Sequence, residues 1–147
     1  MSVILRQARS TDAGAVGSIL SAFIDDTDWM PRIHTRAEDL SFAGDMIGRG
    51  WVTVAECDGT VRAFAARDGD VVHALYVDAG AQGRGLGSVL LNAMKSKCGH
   101  LSLWTFVANI GAQRFYLRHG FSEVTRTDGA RNDEGLPDIR YEWHKGA

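Results

Sequence analysis

The stretch QGRGLGS, residues 82–88, constrains this chain more than any other, because three glycines fall within five positions where an apolar run meets a helix-like run. Glycine adopts left-handed backbone conformations at little cost and allows a ligand to approach the main chain closely. Three phosphate-binding motifs have this glycine content. The P-loop fails, since Gly80 and Gly85 have the required separation but Leu86 stands where a lysine must contact the phosphates.

A dinucleotide-binding fingerprint also fits poorly. Its third glycine would fall on Ser88, and the next predicted strand, residues 101–107, ends without the acidic residue that binds a ribose. The motif Q/R-x-x-G-x-G/A is met by Gln82, Gly85 and Gly87. In that motif, backbone N–H groups at a helix start point into one small volume and, with the helix dipole, bind a pyrophosphate. Taken alone, the hexapeptide also fits a tight turn without a ligand.

Hydrophobic periodicity predicts one mixed α/β domain over residues 1–147, in the order β-α-α-β-β-β-α-β-α-β-β. The predicted strands are residues 3–8, 51–55, 61–67, 71–77, 101–107, 121–125 and 139–143. The predicted helices follow Asp12, Thr35, Ser88 and Asn109. Asp58-Gly59 and Asp68-Gly69 predict hairpin turns, and Cys98-Gly99 and His119-Gly120 predict the ends of the last two helices.

Composition narrows the class of partner and the compartment. The formal net charge of −2 and the pI near 6.2 provide no basic field for nucleic acid or a membrane surface, so we expect neither partner. Cys57 and Cys98 match neither a disulfide framework nor a metal spacing, which favours a reducing compartment. The first twelve residues have no signal-peptide pattern. We therefore expect a cytoplasmic protein.

With this order of elements, the chain resembles the GNAT superfamily of acyl-CoA-dependent N-acyltransferases. The resemblance rests on the strand HALYV at residues 73–77, the loop at residues 82–88, and Asn109, Ala112, Tyr116 and Gly120-Phe121. The segments WMP at residues 29–31 and DIRYEW at residues 138–143 are similar to those of small bacterial members. The resemblance implies a GNAT-type mixed, mostly antiparallel central sheet flanked by helices. It also implies acetyl transfer from acetyl-CoA to a primary amine of a small molecule or peptide by direct attack.

The resemblance implies which residues bind the cofactor. In this family, the strand that corresponds to the predicted fourth strand is splayed apart from its neighbour. Its free backbone groups then contact the pantetheine arm and the thioester oxygen, as in an oxyanion hole. The loop amides would hold the pyrophosphate, with Arg84 as a candidate added cation. The implied cofactor-binding residues are Leu75, Tyr76, Val77, Gln82, Gly83, Arg84, Gly85, Leu86, Gly87, Ser88 and Asn109.

Tyr116 matches the family's general acid, which protonates the departing thiolate, and the alternative is that it packs in the core with Phe115 and Phe121. An alkylamine with a pKa near 10.4 must also lose a proton at neutral pH. His73 is the candidate base, because HALYV resembles the strand of arylalkylamine acetyltransferases. That family's second histidine would fall on Val71. A purely structural His73, with a water chain as the base, is the alternative.

The acceptor region implied by the resemblance contains Trp29, His34 and Glu134, together with Asp25 and Asp26. A carboxylate there would attract an ammonium group, whereas solvated surface charge is the alternative for each acidic residue. Trp29 would help to form an apolar wall.

No linear metal-ligand spacing joins His100, His119 or His144 to an acidic cluster, so the sequence predicts no metal site. Family members often pair, and a homodimer is allowed by the apolar content. A catalytically silent acyl-CoA-binding regulatory module is the alternative function, and the presence of Tyr116 disfavours it.

Overall fold

A computed structural model describes residues 2–146 and shows the predicted order of elements. The strands are β1 Val3–Gln7, β2 Val52–Cys57, β3 Thr60–Asp68, β4 Val71–Val77, β5 His100–Phe106, β6 Ser122–Thr127 and β7 Asp138–His144. The helices are α1 Ala13–Asp26, α2 Arg36–Gly48, α3 Leu86–Lys95 and α4 Ile110–Arg118, with short 3₁₀ turns at Ser10–Asp12 and Ala79–Ala81. Within residues 2–146, no helix combines the length and apolarity needed to cross a bilayer.

The seven strands form one sheet in the order β1-β2-β3-β4-β5-β7-β6. Every neighbouring pair is antiparallel except β4 and β5, which are parallel. The mixed, mostly antiparallel sheet predicted from the sequence is therefore confirmed.

Each face of the sheet carries its own hydrophobic core. One core includes Leu90 and Leu91 of α3, whereas the other includes Val16 of α1, Met46 of α2 and Phe64 of β3. In each core, apolar side chains that recur at helical spacing on one face of a helix are buried against the sheet, away from water. The sheet is thus covered on both sides, and its free backbone edges are the places where a ligand can bind.

A β-bulge in β4 changes which face its side chains occupy. Ala66 of β3 lies opposite Ala74, and Arg67 lies opposite Val72, so His73 is the extra residue of β4. As a result Val72 packs in the core under α3, whereas Ala74 packs in the core under α1. Bulges bend a strand and increase its twist, and they often lie next to active sites.

Two local predictions are confirmed in detail. The Glu38 N–H donates to Thr35 Oγ1 at 3.1 Å, and the Thr35 N–H donates to Glu38 Oε1 at 3.0 Å, which completes the capping box of α2. At the end of α4, Gly120 adopts a φ of +86° and follows His119 as predicted.

Two other local predictions are wrong. The second hairpin turn uses Gly69 and Asp70, since Asp68 is the last residue of β3 and Gly69 has a φ of +59°. Helix α3 ends at Lys95, several residues before Gly99, and Gly99 does not adopt a left-handed conformation. The last turn closes instead when the Ser96 N–H donates to the Asn92 carbonyl at 3.0 Å. A glycine in the sequence did not mark the cap here.

An ion pair near the start of the chain predicts acid sensitivity. Arg6 donates to Asp12 at 2.7 and 2.9 Å, and this bonding lowers the pKa of Asp12 to about 2. Asp12 is 8% exposed. The Asp12 carboxyl binds a proton more tightly in the unfolded chain than in the folded one. The ion pair therefore adds about 2 kcal/mol to the free energy of unfolding above pH ~4, and this contribution is lost as the pH falls toward about 2. Chemical denaturation should show that Asp12→Asn has a lower free energy of unfolding than the parent protein at pH 7, and that this difference is smaller at pH 2.5. Asp28 is exposed, so the control variant Asp28→Asn should lose little stability at pH 7. If Asp28→Asn lost as much stability as Asp12→Asn, the ion pair would not be the cause.

Candidate active site

Strands β4 and β5 lie side by side but pair at one end only. Val71 lies opposite Ser102, whose N–H donates to the Asp70 carbonyl at 2.8 Å. Further along, β3 pairs with the other edge of residues 75–77. Within the described chain, the edge of residues 75–77 that faces β5 has no partner strand. The strand separation implied by the resemblance is therefore present, and it exposes backbone donors and acceptors.

A cavity of about 100 Å³ occupies the opening between the two strands, and we call it the strand cleft. Five of the predicted site residues line it: His73, Leu75, Tyr76, Asn109 and Tyr116. They come from β4, the start of α4 and its second turn. Residues up to 43 positions apart in the sequence are thus brought to one opening.

The glycine-rich loop follows β4 and leads into α3. Gly83 and Gly85 both have a φ of +78°, and Gly85 is the N-cap of α3. The first helical hydrogen bond runs from the Val89 N–H to the Gly85 carbonyl at 3.0 Å. The N–H groups of the preceding turn therefore have no intrahelical acceptor, and the helix dipole adds positive potential at the same place. This geometry suits a phosphate group.

The other residues of the loop have different surroundings. Leu86 is 1% exposed and anchors the helix start in the core, whereas Gln82 and Arg84 are exposed. Gly87 does not have a positive φ, and a Cβ on it would lie 3.4 Å from the Phe115 ring. Glycine is thus required by conformation at Gly85 but favours close helix packing at Gly87.

Asn109 caps α4. Its Oδ1 accepts a hydrogen bond from the Ala112 N–H at 3.0 Å, as an N-cap side chain does. Because Oδ1 is used in this cap, the Asn109 side chain would bind a ligand in the strand cleft through its amide nitrogen Nδ2, which donates hydrogen bonds.

Tyr116 packs in the core and also reaches the strand cleft. Its ring packs against Phe115 and Phe121 at centroid distances of 5.2 and 5.3 Å, and the residue is 8% exposed. It also lines the strand cleft. Burial, with a smaller effect of Tyr76, raises the pKa of Tyr116 well above its ordinary value. The phenol is therefore protonated at neutral pH, and burial makes it a weaker acid than an exposed tyrosine.

His73 is held by an aromatic stack that the sequence did not predict. Its imidazole lies 4.6 Å from the Trp51 ring with an interplanar angle of 8°, and the Arg49 guanidinium lies 5.0 Å from the same indole. His73 is exposed and lines the strand cleft. The stack orients the ring at the edge of the cleft. Trp51 directly precedes β2, and its partner is 22 residues away, so no local pattern marked the pair.

A second cavity of about 540 Å³ adjoins the strand cleft and shares Met30, Tyr76 and Phe106 with it. We call it the acidic pocket. Five carboxylates line it, those of Glu38, Asp39, Asp45, Asp133 and Glu134, and none of the described lining residues is lysine or arginine. Only Asp39 has an arginine partner, Arg32 at 2.8 Å, among the salt bridges of the described residues. The remaining walls include Ile33 and Phe42.

His34 and Glu134, two predicted acceptor residues, both line the acidic pocket. His34 Nδ1 lies 3.5 Å from Glu38, and its Nε2 lies 3.9 Å from Asp133. Burial raises the pKa of Tyr76 to about 12, and the charge of Glu134 adds to this shift. Glu134 therefore lies near Tyr76, one of the three residues that both cavities share.

Trp29 and Asp25 do not line either cavity. Trp29 packs its ring on Phe23 and Phe106, at 6.5 and 5.7 Å, and so supports the walls from outside the described lining. Asp25 accepts hydrogen bonds from Arg32 and Arg36, which neutralise it. Both residues lie outside the linings of the two cavities, and the arginine partners of Asp25 remove it as an anionic contact.

The loop end has a contact that the sequence did not predict. Ser88 Oγ lies 3.0 Å from His119 Nε2, which connects the start of α3 to the end of α4. Burial, followed by the charges of Lys95 and Arg118, lowers the pKa of His119. A neutral imidazole in this place can accept the hydroxyl proton.

The comparison with known families decides the assignment. The model of the acetyltransferase (GNAT) domain matches residues 47–123, which include β2 to α4 and therefore both the strand cleft and the glycine loop. The chain belongs to the GNAT acetyltransferase family. Acetyl-CoA, the co-substrate expected from the sequence, is the donor that GNAT acetyltransferases use.

Individual relatives agree with the GNAT assignment. An uncharacterized N-acetyltransferase of Methanocaldococcus jannaschii is 35% identical over 94 residues, 60% of this chain and 41% of that protein. The chain therefore matches about two fifths of that relative. Apo YjaB of Escherichia coli has a TM-score of 0.82 at 22% identity, with full coverage of both chains. The structure of yncA from Salmonella typhimurium with its cofactor acetyl-CoA has a TM-score of 0.73 at 21% identity, covering 98% of this chain and 94% of that one.

Proposed function

We propose that this GNAT domain is an acetyl-CoA-dependent N-acetyltransferase that transfers an acetyl group to a primary amine of a small molecule or peptide. One observation supports it above the others. The unpaired edge of β4 and the Tyr116 phenol open on the same cleft, directly before a helix start suited to a pyrophosphate. These three features correspond to the oxyanion, the leaving thiolate and the anionic end of one substrate.

The cofactor would lie across the loop and the cleft. The N–H groups at the start of α3 would bind its pyrophosphate, with Arg84 nearby on the exposed loop. Its pantetheine arm would follow the edge of residues 75–77, where Asn109 Nδ2 can donate to it. In the yncA structure, acetyl-CoA is bound to a protein of the same fold.

The proposed reaction is direct attack. The neutral amine nitrogen forms a bond to the thioester carbonyl carbon, and the carbonyl oxygen becomes an oxyanion that backbone N–H groups of β4 stabilise. When the carbon–sulfur bond breaks, the CoA thiolate takes the Tyr116 proton. His73 or a water chain takes the proton of the attacking amine, which gives the acetylated amine and free CoA. The solvent then returns a proton to Tyr116.

An amine panel tests this function against the silent-module alternative. Thiol release that depends on an added amine, with one acetylated product per thiol, supports the enzyme. Tight acetyl-CoA binding with no thiol release across a broad panel supports the regulatory module instead.

A pair of glycine substitutions tests the loop. Gly85→Ala should weaken acetyl-CoA binding about tenfold or more, because alanine at a φ of +78° is strained by about 1 to 2 kcal/mol and favours a loop conformation that no longer directs its N–H groups to one place. Gly87→Ala should bind normally, since Gly87 has no positive φ and Phe115 can shift slightly. Calorimetric titration with acetyl-CoA measures both. Equal affinities in the two variants would remove the loop from the binding site.

The acidic pocket favours an acceptor with more than one positive charge. Four of its carboxylates have no lysine or arginine partner among the described salt bridges, whereas the whole chain carries only −2. An amine in the strand cleft with a second ammonium in this pocket would be attracted, and an α-carboxylate would be repelled. The apolar walls suit an alkyl segment between the two charges. We therefore include diamines and basic peptides in the proposed acceptor class.

Matched amines test this charge preference. 1,5-Diaminopentane should have a kcat/KM at least about fivefold above that of pentylamine, which corresponds to about 1 kcal/mol from a partly exposed carboxylate. Glu134→Gln should reduce that preference, whereas Glu123→Gln on β6, far along the sheet and paired with Arg126, should not. Equal use of the two amines by the parent protein would contradict the charge preference but leave acetyl transfer standing.

A further inference from the structure

Three side chains with metal-binding atoms meet on β5 and β7. His100 lies opposite His144, and Ser102 lies opposite Glu142, so the two histidines and the glutamate share one face of the sheet. The intervening Leu101 and Trp143 face the core beneath α3 and α4. The side chains of His100, Glu142 and His144 are 28%, 20% and 60% exposed, so an ion can reach them.

The distances are close to those of a zinc site. One ligand atom from each residue lies within 4.8 Å of the others. His100 Nε2 is 2.6 Å from Glu142 Oε1, and His144 Nε2 is 3.8 Å from the same oxygen. With zinc–ligand bonds of about 2.0 to 2.1 Å, tetrahedral ligands lie about 3.3 Å apart. The two distances to Glu142 Oε1 are therefore within about 0.7 Å of that spacing, and the two histidine ligand atoms, at most 4.8 Å apart, would approach by no more than about 1.5 Å around zinc.

A fourth residue orients one ligand. Asp70 Oδ2 lies 2.9 Å from His100 Nδ1, so Nδ1 can donate to Asp70, while Nε2 is directed toward the cluster. Carboxylates commonly hold zinc-binding histidines in this way. The His144 ring stacks on His100 at 4.5 Å, which limits how far it can turn away.

The surrounding charges are compatible with a divalent cation. Asp70 and Glu142 supply two negative charges, and the positive groups near them are Arg140, on the same strand as Glu142, and the protonated forms of His100 and His144. We propose that His100, Glu142 and His144 form a zinc-binding site, oriented by Asp70. Two imidazoles and one carboxylate are ligands that zinc prefers, whereas magnesium prefers oxygen ligands alone.

The zinc site lies at the closed end of the β4–β5 pair. Asp70 precedes Val71, where the two strands pair, whereas the strand cleft opens beside residues 75–77. Bound zinc would join β5 to β7 and, through Asp70, contact the β3–β4 turn. The proposal is thus independent of the acetyltransferase function, and its expected effect is on stability.

Zinc titration of the metal-free protein tests the site. Calorimetry should give one zinc per chain, and thermal denaturation should show a rise in Tm of about 5 °C or more at zinc roughly 100-fold above the dissociation constant. His144→Ala, which removes an exposed ligand with little risk to folding, should abolish both effects. Asp70→Asn should weaken binding by about tenfold or more, as loss of an orienting carboxylate does.

Two control variants keep the result specific. His34→Ala removes a histidine that lies near Glu38 and Asp133, and Cys98→Ser removes a thiol near the Gly69 carbonyl. Both should bind zinc like the parent protein. The proposal is overturned if the parent shows no saturable binding, if His144→Ala binds normally, if magnesium competes at equal concentration, or if either control variant loses the site.

Discussion

Replacing Tyr116 with phenylalanine should lower kcat by about 100- to 1,000-fold, the usual loss when a general acid is removed, equal to about 3 to 4 kcal/mol of transition-state stabilisation. The phenol lines the strand cleft, and its raised pKa keeps it protonated throughout the neutral range. The ring would still pack on Phe115 and Phe121, so the fold should be preserved. Acetyl-CoA affinity should change little, because the proposed pyrophosphate site lies at the start of α3 and the proposed pantetheine contacts are the edge of residues 75–77 and Asn109, not the Tyr116 hydroxyl.

Tyr141→Phe is the matched control. Its ring lies 6.5 Å from Tyr116 in the same core and is 1% exposed, but Tyr141 does not line the strand cleft among the described residues. Its loss of a hydroxyl should leave kcat near that of the parent. Steady-state thiol release with a productive amine gives kcat, and calorimetry gives the acetyl-CoA dissociation constant. An unchanged kcat in Tyr116→Phe would exclude Tyr116 as the acid.

Local sequence patterns were sufficient for the elements and for the order in which they occur. Each depends on residues only a few positions apart, such as the Thr35 and Glu38 capping box or the glycines of the loop. The spacing of Asn109 and Tyr116 likewise predicted two residues on one helix that face one cavity. The residues that form such features lie within one turn or one helix, so they are close together in the sequence and can be recognised there.

Features that depend on sheet register could not be predicted in this way. The Trp51 stack on His73, the salt bridges of Asp25 and the His100–Glu142–His144 cluster all join segments from different elements. A one-residue bulge at His73 alone decides which core Val72 and Ala74 enter. The sequence pattern did not predict the bulge, because the apolar residues of β4 can be buried in either register.

The loop between β6 and β7 likewise could not be predicted from local sequence, and a substitution in it should have the second large effect. Residues 128–137 look like a simple polar loop, yet Gly129 has a φ of +87°, and a Cβ there would lie 2.3 Å from both the carbonyl carbon and oxygen of Leu136. Main-chain atoms cannot move aside as the end of a long side chain can. Asn132 holds Leu136 in place from both sides, accepting from its N–H at 3.2 Å and donating to its carbonyl at 2.7 Å.

We therefore expect Gly129→Ala to destabilise the protein by about 3 kcal/mol or more, the sum of left-handed strain and a main-chain clash. Because this loop also carries Asp133 and Glu134 into the acidic pocket, KM for the amine should rise while acetyl-CoA affinity is retained.

Gly135→Ala separates conformational strain from the clash. Gly135 lies in the same loop with a φ of +67°, but a Cβ on it meets nothing within 4 Å. Its substitution should therefore cost only the left-handed strain of about 1 to 2 kcal/mol. Urea denaturation measures the free energy of unfolding of both variants, and amine kinetics show whether the pocket survives. If the two alanine variants lost equal stability, the close approach of Gly129 to Leu136 would not be what holds the loop against the pocket.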